Sequence, residues 1–308
     1  MKETQVVTRS IELRSILNEI QGNGQTVGFV PTMGALHAGH ASLLSKSISE
    51  NSCTVLSVFV NPKQFGPRED FSRYPRTFSN DLKMAQELGV DILYAPTAEE
   101  IYPQNFQTNI SAGEMGTVLC GTHRPGHFDG VCTVVTVLLN TINAHKAYFG
   151  LKDYQQFSII SRMCQDLVHR TQIIGVPTLR EKDGLAMSSR NRFLDPKLRE
   201  IAATIPQALA AAAKLYIDGE KNCEKITSFC RKVFEEKQLE TQYLEIRKCC
   251  NLTLCEGLNS NDGVLAIALI LTSEAGIATR LIDNIILSEE PLYLQNLKSL
   301  LLQAEQVL

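Results

Sequence analysis

His37 and His40 stand three residues apart in Pro31-Thr32-Met33-Gly34-Ala35-Leu36-His37-Ala38-Gly39-His40, where an apolar run gives way to a helix-forming one. Their chemistry points to phosphate. An imidazole can donate a hydrogen bond to a phosphate oxygen. A helix N-terminus adds unpaired backbone N–H groups and the positive end of its dipole. Gly34 and Gly39 lack a Cβ, which lets a ligand approach the backbone. In a helical first turn, residues three apart share a face. Two other readings compete: a plain strand–helix turn with two surface histidines, and a metal pair. Against the metal pair, HxxH here lacks the glutamate of a zincin helix, and no Cys/His set supplies the remaining ligands.

Three more polar clusters follow apolar runs. Asn61-Pro62-Lys63-Gln64 comes after Cys53–Val60, and the Gln64 amide can hold a hydroxyl or a carboxylate. Gly150-Leu151-Lys152-Asp153 comes after Lys146–Phe149. There Lys152 can reach a phosphate, Asp153 can cap a helix or hold a ribose hydroxyl, and Gln156 lies on a first helical turn. Met187-Ser188-Ser189-Arg190 offers two hydroxyls and the guanidinium suited to clamping phosphate. Arg124 and His127 add a cation and an imidazole inside a long loop. Each cluster alone reads equally as a solvated turn, a helix cap or a surface loop. Their recurrence at strand ends is what argues for a shared site, because open parallel sheets bind ligands beyond the carboxyl ends of their strands.

The elements that must position these residues are legible from periodicity. Helices are expected at 8–21 (capped by Thr8 or Ser10), 41–48, 78–88 (capped by Thr77 or Ser79, with Gly89 at its C-terminus), 131–143 and from Asp153 to about 167. Strands are expected at 26–30, closed by Pro31, and at 53–60, 90–95, 146–149 and 172–176. That alternation predicts an α/β fold, a doubly wound, Rossmann-like parallel sheet over 1–178, with 96–130 as a long irregular and functional loop. Residues 179–290 read as a smaller α+β domain: helices at 195–217 and 221–236, then strands at 241–247, 263–272 and 278–283. Residues 291–308 read as an amphipathic helical extension, packing on the body or on a dimer partner.

Composition bounds the rest. The 308 residues are 44% hydrophobic and 20% charged, contain no Trp, and carry a net charge of −3, which gives no general attraction to nucleic acid or an anionic membrane. Nine cysteines without CxxC spacing suggest reduced thiols. No signal-type N-terminus or membrane-length apolar run is present, so a cytoplasmic location is expected.

Taken in order, PTMGALHAGH, SVFVNPKQFGP, EDFSRYPRT, RPGHFDGV, GLKDYQQ and GLAMSSRNRFL resemble the pantoate–β-alanine ligase (pantothenate synthetase) family, from about residue 8 to Arg280-Leu281-Ile282-Asp283-Asn284. HAGH and MSSR look like that family's versions of the two signatures shared by nucleotidylyltransferases and class I aminoacyl-tRNA synthetases. The resemblance implies ATP-dependent joining of (R)-pantoate and β-alanine through pantoyl adenylate, with Mg2+ accompanying ATP, in a homodimer. It implies that Met33 to His40, Gly150, Leu151, Lys152, Asp153, Leu179, Met187, Ser188, Ser189 and Arg190 form the ATP site. Within that set His37, His40, Lys152, Ser188, Ser189 and Arg190 are expected to be catalytic. Gln64 and Gln156 are expected to hold pantoate, with Asn61, Arg124 and His127 lining the site and Asp81 helping to hold Mg2+. The chain departs from the family pattern at Leu119-Cys120-Gly121 and at Leu151, where the family often carries an acidic residue, and its tail runs past the usual family end. A tRNA synthetase fragment would share HAGH and MSSR, yet the chain lacks a basic face. A nucleotidylyltransferase would not explain FVNPKQF. A non-catalytic homologue would be expected to lose His37, Lys152 or the Ser-Ser-Arg set, and all three are present.

Overall fold

A computed structural model describes residues 3–67, 69, 71–258, 262–274, 276 and 278–307. The chain divides into two compact units, residues 1–151 with 155–176 and residues 152–154 with 177–308.

The first unit is built on six parallel strands in the order β1-β4-β3-β2-β5-β6: β1 Gln5–Val7, β2 Val27–Thr32, β3 Cys53–Val58, β4 Ile92–Tyr94, β5 Lys146–Gly150 and β6 Gln172–Val176. Its helices are α1 Ser10–Gly22, α2 Ala38–Glu50, α3 Phe78–Leu88, the short α4 Ala98–Ile101 and α5 Cys120–His123, α6 His127–Ile142 and α7 Tyr154–Asp166. Successive side chains of a strand alternate between faces. Val30, Leu56, Leu93, Tyr148 and Val176 therefore join Leu43 and Leu44 of α2 and Ala85 of α3 in one core, while α1 and α6 pack on each other and on β2. Covered on both faces, the strands read as nearly unbroken apolar runs.

The order of the strands fixes where a ligand can enter. From β2 the chain passes to β3 on one side, and from β5 it passes to β6 on the other. The sheet thus has its topological switch point between β2 and β5, the position at which doubly wound folds bind ligands.

Several boundaries differ from expectation for physical reasons. β2 continues through Pro31, because its pairing to β5 covers only Gly28 and Phe29 and the missing N–H is not needed there. Neither Thr8 nor Ser10 caps α1; the N–H and hydroxyl of Ser10 both donate to Glu100. Thr77 precedes α3 without capping it, its hydroxyl pointing to Asp81, whereas Gly89 takes the left-handed C-terminal conformation expected of it. The stretch 96–130 is not wholly irregular: it contains α4, a 3-10 turn and α5, and α6 begins at His127. The edge strand β1 went unforeseen, since it is three residues long and buries only Val7.

In the second unit, β7 Thr241–Lys248, β8 Gly263–Thr272 and β9 Ala278–Leu287 form an antiparallel sheet in that order. It is covered by α9 Thr204–Ile217, α10 Cys223–Glu236 and α11 Pro291–Val307 through a core that includes Leu209, Ile226, Phe234, Ile267, Leu281, Ile285 and Leu300. The expected helix at 195–217 is two, α8 Pro196–Ala202 and α9, broken at Ala203. Pro206 accounts for the break: it lacks an N–H and its ring crowds the carbonyl four residues back. Together the strands and helices form a smaller α+β body. All nine cysteines are free thiols, and among the described residues no helix is long and apolar enough to cross a membrane.

Candidate active site

The segment leaving β2 is shaped by positive backbone angles and held by one buried carboxylate. Gly34 has φ +79 and Ala35 φ +52. Asp81, buried on the first turn of α3, accepts the N–H of Ala35 at 3.1 Å and that of Leu36 at 2.8 Å. Its oxygens also accept from the Thr77 hydroxyl at 3.3 and 3.4 Å. A Cβ at residue 34 would lie 2.9 Å from the Asp81 carboxylate, so glycine is required for the close approach as well as for the angle. Asp81 was expected to help hold Mg2+; here both of its oxygens accept from the loop and from Thr77. Among the described residues no three His, Cys, Asp or Glu side chains gather in one place.

That anchored loop delivers the histidines. His37 is not in the helical turn; it caps α2 in extended conformation (φ −144, ψ 177). Its Nδ1 accepts the N–H of Gly39 at 3.1 Å, and the His37 N–H donates to Nδ1 of His40 at 3.2 Å, a reciprocal cap. The ring centroids are 4.1 Å apart. A ring nitrogen that accepts an N–H carries no proton itself, so both neutral imidazoles hold theirs on Nε2. The backbone thereby fixes two hydrogen-bond donors at the positive end of a helix.

Gln64 sits in a rigid frame. Its side-chain oxygen accepts from Nδ2 of Asn61 at 3.0 Å, and its Nε2 donates to the Met33 sulfur at 3.3 Å. Asn61 also donates to the carbonyl of Gly130 and accepts from the Lys63 N–H and the Tyr102 hydroxyl. With four bonds made, the Asn61 amide has none left for substrate. His127 bonds the Gln64 carbonyl through Nδ1 at 2.7 Å and faces an Arg124 amine through Nε2 at 3.0 Å. Because arginine can only donate, the His127 proton resides on Nδ1. Arg124 itself forks onto Glu69. Burial works against the charge of Glu69, but the hydrogen bonds and charge of Arg124 prevail and hold its carboxyl below the ordinary range. Asn61, Arg124 and His127, expected to line the substrate site, are bonded around Gln64.

Gly130 was missed by sequence reasoning. A Cβ there would lie 2.3 Å from the Lys63 carbonyl oxygen and 2.8 Å from the Gln64 nitrogen, so only glycine lets α6 pack against the turn that carries Gln64. A glycine in the middle of an otherwise apolar helical run was the available signal. Gln155 was likewise passed over. It is buried, accepting from the Cys120 N–H and donating to the Met115 and Val118 carbonyls, while Gln156 stays half-buried on the first turn of α7. Gly150 ends β5, the strand that pairs with β2 at the switch point, and Leu151 opens the 3-10 turn that follows.

In the second unit, residues 179–187 fold into a small hairpin: the Met187 N–H donates to the Leu179 carbonyl, and Arg180 bridges Ala186. Ser188 caps the 3-10 turn Ser189–Phe193, its hydroxyl accepting the Arg190 N–H at 3.2 Å. Asn191 donates to Glu181 and to the Ala186 carbonyl, and Arg199 pairs with Glu181 and Asp183. Lys152 lies 3.6 Å from Asp153. Of the residues expected around the nucleotide, the histidines, Gly150 and Leu151 belong to the first unit, and Lys152, Asp153 and the Leu179–Arg190 segment to the second.

Known proteins bear on this arrangement. Residues 5–286 match the sequence model of the family described as pantoate-beta-alanine ligase. The chain is 45% identical to pantothenate synthetase 1 of Bradyrhizobium diazoefficiens over 286 residues, 93% of this chain and 99% of the relative. To the pantothenate synthetase of Caldicellulosiruptor saccharolyticus it is 43% identical, covering 91% and 98%. The crystal structure of pantothenate synthetase from Thermus thermophilus superposes with a TM-score of 0.83 at 39% identity, over 92% of this chain and 99% of that one. The pantoate-beta-alanine ligase of Francisella tularensis, solved with "Beta-gamma ATP and Beta-alanine", superposes at 0.71 with 34% identity, over 94% and 99%. With the loop, the histidine cap and the framed glutamine in place, the match extends over nearly the whole fold, and the chain belongs to the pantoate–β-alanine ligase family.

Proposed function

We propose that the chain condenses (R)-pantoate with β-alanine in two steps, using ATP. The pantoate carboxylate attacks the α-phosphorus, the bond to the bridging oxygen breaks, and pyrophosphate leaves pantoyl adenylate. The β-alanine amine then attacks the acyl carbon, loses a proton, and expels AMP to give pantothenate. Membership of the ligase family and the ligand pair of the Francisella structure support these substrates.

The observation that carries the reading is the locked histidine pair. Phosphoryl transfer of this kind needs charge neutralised on the phosphates and little covalent help. His37 and His40 supply two N–H donors whose tautomer the backbone sets, at the N-terminus of α2 and next to the switch point. Lys152, Ser188, Ser189 and Arg190 would add the cationic and hydroxyl donors for the leaving pyrophosphate, while Met33 to Leu36, Ala38, Gly39, Gly150, Leu151, Asp153, Leu179 and Met187 complete the nucleotide's surroundings. Gln64 is poised for pantoate: its Nε2 rests on a thioether, a weak acceptor, which a hydroxyl or carboxylate oxygen would displace. Gln156 provides the second amide. A Mg2+ arriving with ATP would take its ligands from phosphate and water, as that ion commonly does. A homodimer and a cytoplasmic location rest on the family resemblance and composition; light scattering of the purified chain tests the former.

ATP–pyrophosphate exchange with pantoate as the only acid tests the reading. Exchange that depends on pantoate, with pantothenate formed once β-alanine is added, is the expected result. Exchange driven by an amino acid in place of pantoate would overturn it.

A further inference from the structure

The strand β9 carries two adjacent polar residues, Asp283 and Asn284, both buried in an otherwise apolar run. Neighbours on a strand face opposite sides of the sheet, and these two hold different segments. Asp283 forks onto Arg180, with Nη1 at 2.6 Å and Nη2 at 3.1 Å, and the two side chains are 2% and 8% exposed. The same guanidinium donates to the Gly184 carbonyl at the hairpin's turn, so the ion pair fastens the first arm and the turn of the 179–187 hairpin that leads into Met187–Arg190. Asn284 donates through Nδ2 to the backbone carbonyl of Lys152 at 2.7 Å. A buried ion pair is an expensive device for stability alone, since desolvation offsets most of its attraction. It is well suited to fixing a position.

We propose that Asp283 and Asn284 are positioning residues: one dipeptide sets the Lys152 segment and the Ser-Ser-Arg segment in mutual register for the nucleotide's phosphates. Asn284 acts through the Lys152 backbone and Asp283 through Arg180; neither touches substrate. The inference rests on the assignment of Lys152 and Arg190 to ATP made above.

The test is a double-mutant cycle on the full chain, read by pantoate-dependent ATP–pyrophosphate exchange with separate KM values for ATP and pantoate. Asn284→Asp keeps the shape and removes the donor. It should lower exchange by about tenfold, the worth of one hydrogen bond to a positioned group, or raise the ATP KM to match, and leave the pantoate KM unchanged. In a Lys152→Ala background it should cost nothing further, because residues acting as one unit are non-additive. Additive losses, a parallel rise in both KM values, or wild-type exchange by a folded Asn284→Asp protein would each overturn the proposal. If Asn284→Asp does not fold by circular dichroism, Asn284→Ser is measured in its place with the same criteria. A Lys152→Ala protein with wild-type exchange would instead overturn the assignment of Lys152 to the nucleotide, whatever Asn284→Asp does, so the two failures are distinguishable. Asp283→Ala should raise the ATP KM, and Arg180→Ala should add nothing to it; independent effects on ATP would sever Asp283 from the hairpin.

Discussion

Replacing Asp81 with asparagine removes one charge and leaves the shape of α3 intact, yet it should cripple adenylate formation. In the folded chain the carboxylate receives two backbone N–H groups, from Ala35 and Leu36, on two different oxygens. An asparagine can accept only one of them and turns an N–H group toward the other. A hydrogen bond to a charged group contributes about 1.5–3 kcal/mol, and a buried donor left unpaired costs about 1–3 kcal/mol. The loop also stores strain, since Ala35 at φ +52 is held in a region that costs a non-glycine residue about 1–3 kcal/mol. About 2–3 kcal/mol shifted onto the loop would deplete its competent conformation by about 30- to 140-fold, at about 1.4 kcal/mol per factor of ten. Pantoate-dependent exchange should fall by that factor, and excess Mg2+ should not restore it. A magnesium ligand would behave differently, with activity recovering as the ion is raised. Should the loss spread to the whole fold, the melting temperature drops by about 2–4 °C per kcal/mol and reports it. Near-wild-type exchange in a folded Asp81→Asn protein, or rescue by Mg2+, refutes the anchoring argument.

Three further outcomes are expected. His37→Ala should reduce pantothenate formation by about 100-fold or more, the usual effect of deleting one preorganised donor; unchanged turnover would remove His37 from the mechanism. Gly130→Ala forces a carbon into the Lys63 carbonyl, so it should raise the KM for pantoate well above that for ATP, and equal rises would argue that Gln64 is not the pantoate residue. Glu50 is paired with Lys46 at 2.6 Å and Lys146 at 3.0 Å and hydrogen-bonded by Tyr148, which lowers its pKa from 4.5 to about 2. A depressed carboxylate contributes stability above its unfolded pKa and loses it as pH falls through the folded one. Urea titrations should therefore show Glu50→Gln losing less stability than the parent between about pH 5 and about pH 2, and parallel acid limbs would show that the network contributes nothing measurable.

The sheet was legible in the sequence because strands covered on both faces leave apolar runs that cannot be read otherwise, and β6 falls at 172–176 as the pattern predicts. What escaped was short or locally interrupted: β1 buries one side chain, and Pro206 breaks a helix whose alanines read as continuous. The site divides along a different line. Residue type and spacing pointed to the stretches that follow β2, β3 and β4, and the structure places His37, Asn61, Gln64, Arg124 and His127 there, in the first unit. Type and spacing could not say which of them meet a ligand, because that depends on partners remote in sequence. Asn61 is saturated by Gly130 and Tyr102, Asp81 by a loop 45 positions away, and His127 by Arg124 and the Gln64 carbonyl. A polar group meant for substrate must keep bonding capacity until substrate arrives, whereas a framing group exhausts its own in the folded chain. By that criterion Gln64, leaning on a sulfur, is the side chain to test first against pantoate. Asn61 and His127 bond the turn that carries it, and Asp81 bonds the loop that leads to the histidine cap.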